Sequence, residues 1–208
     1  MVPQLTFSGK DSGAIMGRSR WVCDDIWKVI LAVMMPANAL AVEVSLATGL
    51  RISDVLSLKT DLVKRTARPY VRDSKTGKLH RIYLPVELRQ KLLALSGKVW
   101  CFEGRTDWTK HRTRAAVYKD MEHAVAALKR NGTLDRAGTY SPHSARKSAA
   151  VHAYQGGGVD AAARLLVHDR DHPSVTLLYA LSDVEPTSSA RKRRSCARSR
   201  RKAQRGQK

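Results

Sequence analysis

Apolar positions recur at helical spacing through most of the chain and predict a mainly helical protein. The segment 24–33 begins with two acids and continues in apolar residues, which is typical of a helix N-terminus. Pro36 suits the first turn of a second helix, and the nearly all-apolar sequence that follows predicts that this helix is buried. A Thr-Gly pair at 48–49 ends it, and helical spacing resumes at 51–58.

One short region follows the alternating pattern of strands instead. The strand-like segments 69–71 and 81–84 flank a turn at 73–78 that carries two lysines, so they predict an antiparallel hairpin. Further helices are predicted at 86–95, at about 112–129, from Ser141-Pro142 to the glycines 156–158, at about 160–168, and at 173–181. The expected fold class is therefore mainly α with one small antiparallel β-sheet (α+β).

The charge of the chain is strongly positive, with 38 Lys and Arg against 18 acids and a formal net charge of +20. From Pro186 onward the tail has ten Lys and Arg and no acid, and it is expected to be disordered when free. The preceding residues still have 28 basic and 18 acidic side chains, or +10. Such an excess favours a polyanionic partner, although a simple polycationic binding protein would share it.

The cysteines and the apolar runs bear on the compartment. Cys23, Cys101 and Cys196 lie far apart without metal-ligand spacing, which predicts free thiols in a reducing compartment. Residues 1–20 lack the apolar core of a signal peptide, and the longest apolar run, 29–35, is too short to span a bilayer. We therefore expect a soluble, cytoplasmic protein without membrane contact.

The most informative segment is Tyr140 to Lys147. His143 and Arg146 stand at positions i and i+3 of the predicted helix and so project from one face. An imidazole that handles protons beside a guanidinium fork suits a phosphate whose bonds are being broken. This spacing is common in helices by chance, so the pair indicates a function only together with the other motifs of the chain.

Four further groups surround this pair in chain order. Arg51 follows the Thr-Gly break, and Lys75 lies at the hairpin tip. His168 ends a Leu-Leu-Val-His segment, and Tyr179 stands in Thr-Leu-Leu-Tyr. This order resembles the catalytic domain of the tyrosine recombinase (phage integrase) family over residues 22–182.

The resemblance implies a site-specific DNA recombinase or integrase that cuts and rejoins DNA through a 3′-phosphotyrosyl intermediate. By similarity, Arg51 and Arg146 clamp the scissile phosphate as bidentate donors, and His168 hydrogen-bonds it. Asp54 is expected to brace the helix of Arg51 rather than to take part in the chemistry. No metal or other cofactor is required, because the arginines supply the positive charge.

The resemblance also implies which groups move protons. Tyr179 attacks the phosphorus, and the covalent link conserves bond energy so that ligation needs no ATP. His143 assists proton transfer at the tyrosine, and Lys75 protonates the departing 5′-oxygen. Lys78 competes with Lys75 for that role, and Ser74-Lys75-Thr76-Gly77 looks more like the turn of the family.

Two features depart from the family pattern. Val167 stands where the family usually has a glycine, and His168 precedes Tyr179 by eleven positions, which implies a short insertion. His172 is therefore an alternative to His168, although Pro173 beside it suggests a turn. Few residues precede the catalytic region, as in short members such as the fimbrial phase-switch recombinases or in a truncated integrase.

The expected organisation is a loose lead-in (1–20), a catalytic domain (21–184) and a basic tail (185–208). Expected partners are double-stranded DNA and three further copies of the chain in a DNA-bound homotetramer, with accessory DNA-bending proteins as additional candidates. The protein would then be encoded by a bacterium or a phage and would act in the cytoplasm, in association with the nucleoid. Two alternatives share the family chemistry or fold: a topoisomerase IB-like enzyme, and a catalytically degenerate DNA-binding regulator or accessory factor.

Overall fold

The computed structural model of the protein describes residues 21–136 and 138–166. Over these residues the chain is mainly helical with a two-stranded antiparallel sheet, which confirms the predicted fold class. The elements are α1 (Asp24–Val33), α2 (Pro36–Thr48), α3 (Ile52–Leu56), α4 (Thr60–Arg65), β1 (Tyr70–Arg72), β2 (Leu79–Arg81), α5 (Val86–Leu95), α6 (Arg114–Arg130) and α7 (Pro142–Leu166).

Helix α2 lies at the centre of the fold. It packs against α7 and also contacts α1, α3, α5 and α6, so it is surrounded on most sides. Ala41, Val42 and Val44 are fully buried, which explains its nearly all-apolar sequence. The helix begins at Pro36 and is capped by Gly49 in the left-handed conformation (φ 69°), as its sequence predicts.

The hairpin forms where the alternating pattern indicates it, with strands slightly displaced from the predicted segments. Tyr70 pairs with Arg81 and Arg72 pairs with Leu79 across the two strands. Helix α4 was not predicted from the sequence. Its six residues contain only one buried apolar side chain, Val63, so they provide too little periodicity for a helix to be recognised.

Helix α7 brings the His-x-x-Arg segment into contact with the N-terminal helices. The hydroxyl of Ser148 accepts hydrogen bonds from the Trp27 indole (3.0 Å) and the Val22 amide (3.2 Å), and donates to the Val22 carbonyl (2.9 Å). Helical geometry is interrupted at Gly157 and Gly158, where the sequence predicts a helix end, and then resumes to Leu166.

The predicted helix at 173–181, the lead-in and the basic tail lie outside the described residues. None of the helices in the part that the structure describes is long and apolar enough to cross a membrane.

Candidate active site

Arg51 lies where the chain turns from the end of α2 into α3. Gly49 ends α2 in the left-handed region, and Arg51 is the N-cap residue of α3 with an extended backbone (φ −65°, ψ 147°). Its side chain is 24% exposed, and its guanidinium Nη1 pairs with the Asp73 carboxylate. The arginine is therefore oriented by a buried anion while one side remains open to solvent.

Arg146 is held in place by backbone carbonyls. It is only 4% exposed on α7, and it donates from Nη1 to the Gly49 carbonyl and from Nη2 to the Leu166 carbonyl, both at 2.8 Å. These bonds fix the plane of the guanidinium. Because Gly49 is two residues before Arg51, they also bring the two predicted phosphate ligands to the same end of α2.

His143 lies one helical turn before Arg146, with its residue exposed at the surface. Partial desolvation of the ring, followed by the positive charges of Arg146, Arg51 and Lys147, lowers the pKa of His143 below its ordinary value of 6.5. The imidazole is therefore neutral near pH 7 and has a nitrogen free of a proton. An anion bound between these cations would raise that pKa again.

The turn of the hairpin is fastened to the same region. Lys75 is exposed in this turn, and its backbone amide donates to Asp73 Oδ1 at 2.9 Å. The Ser74 amide donates to Asp54 Oδ1 at 3.2 Å, which joins α3 to the hairpin. Asp54 thus braces the turn at 73–78, here called the lysine turn, through a contact that the sequence did not indicate.

Two further residues, His80 and Lys147, lie at this site and were not predicted from the sequence. His80 is half-buried on β2; burial and the charges of Arg146 and Arg51 lower its pKa below 6.5, against the opposing effect of Asp73 and Asp54. Within the described residues its Nδ1 is buried without a hydrogen-bond partner. Lys147 is 5% exposed next to Arg146 in the chain. The inward position of His80 follows from strand alternation, but its proximity to two arginines does not.

Four of the six predicted catalytic residues therefore lie in one region, namely Arg51, Lys75, His143 and Arg146. The other two, His168 and Tyr179, and the alternative His172 lie outside the described residues. The roles of all six remain predictions. The preference for Lys75 over Lys78 also remains one, since both are exposed in the same turn.

Gly49 is expected to be intolerant of substitution. At φ 69° a Cβ is strained, and it would lie 2.7 Å from Leu165 Cγ. We expect Gly49→Ala to lower the free energy of unfolding by about 2–4 kcal/mol, because backbone strain and overpacking add together. Urea denaturation measures this loss.

Gly132→Ala is a matched control, because Gly132 has a similar φ of 78° but nothing within 4 Å of the added Cβ. Its loss should reflect backbone strain alone and should be clearly smaller. Equal losses for the two variants would show that the Leu165 contact adds no cost.

A known protein family matches most of this sequence. The family model described as "Phage integrase family" matches residues 25–185. None of the curated protein sequences matches this chain significantly.

Several solved structures share the fold. A lambda integrase dimer bound to a COC′ core site has a TM-score of 0.65 and 21% identity, over 81% of this chain and 49% of that chain. The structure of XerA recombinase has a TM-score of 0.63 and 18% identity, over 91% of this chain and 66% of that chain. A third structure is a post-cleavage complex of XerH recombinase bound to a palindromic difH substrate. It has a TM-score of 0.62 and 16% identity, over 85% of this chain and 52% of that chain. The chain thus spans about half to two thirds of the length of these proteins.

Proposed function

Because this chain belongs to the phage integrase family, we propose that it is a site-specific recombinase that cuts and rejoins double-stranded DNA. The observation that carries the proposal is the convergence of Arg51 and Arg146 beside a neutral His143. Two fixed guanidinium groups provide positive charge where a phosphodiester gains negative charge in the transition state. A polycationic binding protein has no use for a buried arginine fixed in this way.

The two arginines would bind the scissile phosphate together. Arg146 keeps its orientation through the Gly49 and Leu166 carbonyls, and Arg51 keeps its orientation through Asp73. Ligands held before the substrate arrives need no reorganisation during the reaction. In the solved relatives, lambda integrase is bound to a core site and XerH to a difH substrate, which supports duplex DNA as the substrate here.

Proton transfer would involve His143 and Lys75. A neutral His143 can accept the proton of an attacking phenol, and its lowered pKa keeps this form populated at neutral pH. Tyr179 is the proposed nucleophile: its oxygen forms a bond to phosphorus while the bond to the 5′-oxygen breaks. Lys75 then donates a proton to that 5′-oxygen, and His168 hydrogen-bonds the phosphate.

A covalent trapping assay tests this function. A duplex enriched from a random pool by binding to the protein, here called the selected duplex, is prepared as a set with a nick moved one nucleotide at a time. Cleavage close to a nick releases a short oligonucleotide, so that religation fails and a covalent protein–DNA complex accumulates on a denaturing gel. Tight binding without any covalent complex across the set would contradict the proposal and favour the DNA-binding regulator.

The role of Lys75 can be separated from that of Lys78 by changing the leaving group. We expect Lys75→Ala to slow covalent complex formation about 100-fold or more, as is typical for loss of a general acid. A sulfur atom in place of the 5′-bridging oxygen leaves without a proton, so it should restore most of the rate of this variant.

Lys78→Ala is the matched control in the same turn. It should cleave the oxygen and sulfur substrates at rates near those of the unmodified protein. The opposite result, with a sulfur-rescued defect in Lys78→Ala alone, would assign the general acid to Lys78.

The remaining proposals concern organisation and assembly. Residues 21–184 would form the catalytic domain after a lead-in at 1–20, and the tail 185–208 would add phosphate contacts whose strength falls steeply with salt. The protein would act as a homotetramer on DNA in the cytoplasm, with accessory DNA-bending proteins as further partners. Sedimentation of the protein–duplex complex measures the copy number, and equilibrium binding to the selected duplex at several salt concentrations measures the salt dependence.

A further inference from the structure

The Asp73 carboxylate lies between the two halves of the candidate site. It is 1% exposed and directly follows β1. Its Oδ1 accepts hydrogen bonds from the Lys75 amide (2.9 Å) and the Thr76 amide (2.8 Å). Its Oδ2 pairs with Nη1 of Arg51, so one side chain contacts both the lysine turn and the arginine.

The backbone of the turn closes around the same residue. The Asp73 amide donates to the Lys78 carbonyl at 2.9 Å, and the Gly77 amide donates to the Asp73 carbonyl at 2.8 Å. With Ser74 bonded to Asp54, three successive amides of the turn point at two buried carboxylates. The path of the turn is therefore fixed relative to α3, the helix that Arg51 begins.

The ionisation of Asp73 is compatible with this arrangement. Burial by itself raises the pKa, but the Thr76 and Lys75 amides and the charge of Arg51 lower it more strongly, to about 2. The carboxylate is consequently charged near neutral pH. A buried carboxylate with these partners is stable, whereas removing its charge would leave Arg51 without its orienting anion.

We propose that Asp73 is a positioning residue that sets the geometry between Arg51 and Lys75 for DNA cleavage. The inference rests on the proposed recombinase function. Arg51 has five N–H donors, and the pairing of one of them with Asp73 fixes the orientation of the guanidinium. The two Oδ1 bonds fix the backbone of the turn at Lys75 relative to that arginine, so the residue that carries the proton donor keeps its position beside the phosphate ligand.

Two substitutions separate the contact of Asp73 with Arg51 from its contacts with the lysine turn. Asp73→Asn keeps an oxygen that can accept from the Lys75 and Thr76 amides, but it removes the anion opposite Arg51. Asp73→Ala removes both. Asp61→Asn is the charge-matched control, because Asp61 is an exposed carboxylate on α4.

The measurement is the single-turnover rate of covalent complex formation at saturating protein on the selected duplex, with oxygen or sulfur at the 5′-bridging position. We expect Asp73→Asn to be roughly 10- to 100-fold slower on both substrates, because a misplaced arginine affects the phosphate in either case. Asp73→Ala should be slower still on the oxygen substrate, and sulfur should restore only this additional loss. Asp61→Asn should react at the unmodified rate.

DNA affinity separates positioning from a general electrostatic effect. Both Asp→Asn variants remove one negative charge, so each should bind the selected duplex as tightly as the unmodified protein or slightly more tightly. Thermal unfolding of Asp73→Asn should remain cooperative; if Asp73→Ala does not fold, Asp73→Asn alone decides.

Three outcomes would overturn the inference. One is an Asp73→Asn rate equal to that of Asp61→Asn. Another is full rescue of Asp73→Asn by sulfur, which would place its effect on the leaving group alone. The third is the absence of a covalent complex with unmodified protein, which would overturn the recombinase proposal as well and is thereby distinguished from the first two.

Discussion

Arg146→Ala is expected to lower the rate of covalent complex formation about 1000-fold or more. A fixed donor aimed at developing charge is typically worth 10²–10³ in rate, and arginines in phosphoryl transfer about as much or more. Arg146 has the features of such a donor, because it is buried and bonded through Nη1 and Nη2 to two backbone carbonyls. Single-turnover cleavage of the selected duplex at saturating protein measures the effect.

Two controls accompany this variant. Arg146→Lys keeps the charge but loses the planar fork, so it should recover only a small part of the rate. Arg105→Ala removes an exposed arginine of a loop, and it should lower affinity at most, without changing the rate at saturation. Because Arg146→Ala also leaves the Gly49 and Leu166 carbonyls without these donors, its unfolding must be checked. A well-folded Arg146→Ala that cleaves normally would remove this arginine from the site.

Tyr179→Phe is expected to abolish the covalent complex altogether. The variant lacks the only oxygen that the proposal allows to bond to phosphorus, and a phenyl ring cannot replace it. One lost hydroxyl among many phosphate contacts should leave DNA affinity within about twofold, since such contacts act largely independently. Denaturing gels report the adduct, and a filter-binding titration reports the affinity.

Tyr118→Phe is the matched control for the tyrosine, because Tyr118 is 50% exposed on α6 and lies outside the motif. It should form the adduct at the normal rate. An adduct that persists in Tyr179→Phe would transfer the nucleophilic role to another residue.

Much of this fold could be predicted because its elements carry local signals. Pro36 at the start of α2 and Gly49 at its end are backbone requirements that the sequence displays directly. The hairpin was recognisable from alternation around a turn with Gly77. Helix α4 lacks such local signals, and it is held mainly by its packing against α5.

The candidate site could be predicted only as far as its motif reaches. Arg51, His143 and Arg146 were predicted as site residues from the order of the motifs, although Arg51 is remote in the chain from the other two. Asp73 was not recognised, because an aspartate before a turn has an ordinary structural explanation. Only the folded chain brings its Oδ2 to Arg51, a contact across 22 positions that no local pattern encodes.

Asp54 illustrates the same limit. Its position three residues after Arg51 suggested that it braces the arginine's own helix, and its Oδ1 in fact accepts from the Ser74 amide of the hairpin. The carboxylates of Asp54 and Asp73 therefore both accept hydrogen bonds from backbone amides of the lysine turn. The electrostatic balance of the site, with a neutral His143 among three cations, likewise emerges from tertiary proximity alone.

The decisive measurement is the chemical identity of the protein–DNA link. The covalent complex trapped on the selected duplex is digested with protease, and mass spectrometry locates the residue that retains the nucleotide. We expect a single 3′-phosphotyrosyl bond at Tyr179 and a free 5′-hydroxyl on the released strand. A link through a different residue, a 5′-phosphate attachment, or no link on a duplex that the protein binds tightly would contradict the proposed function.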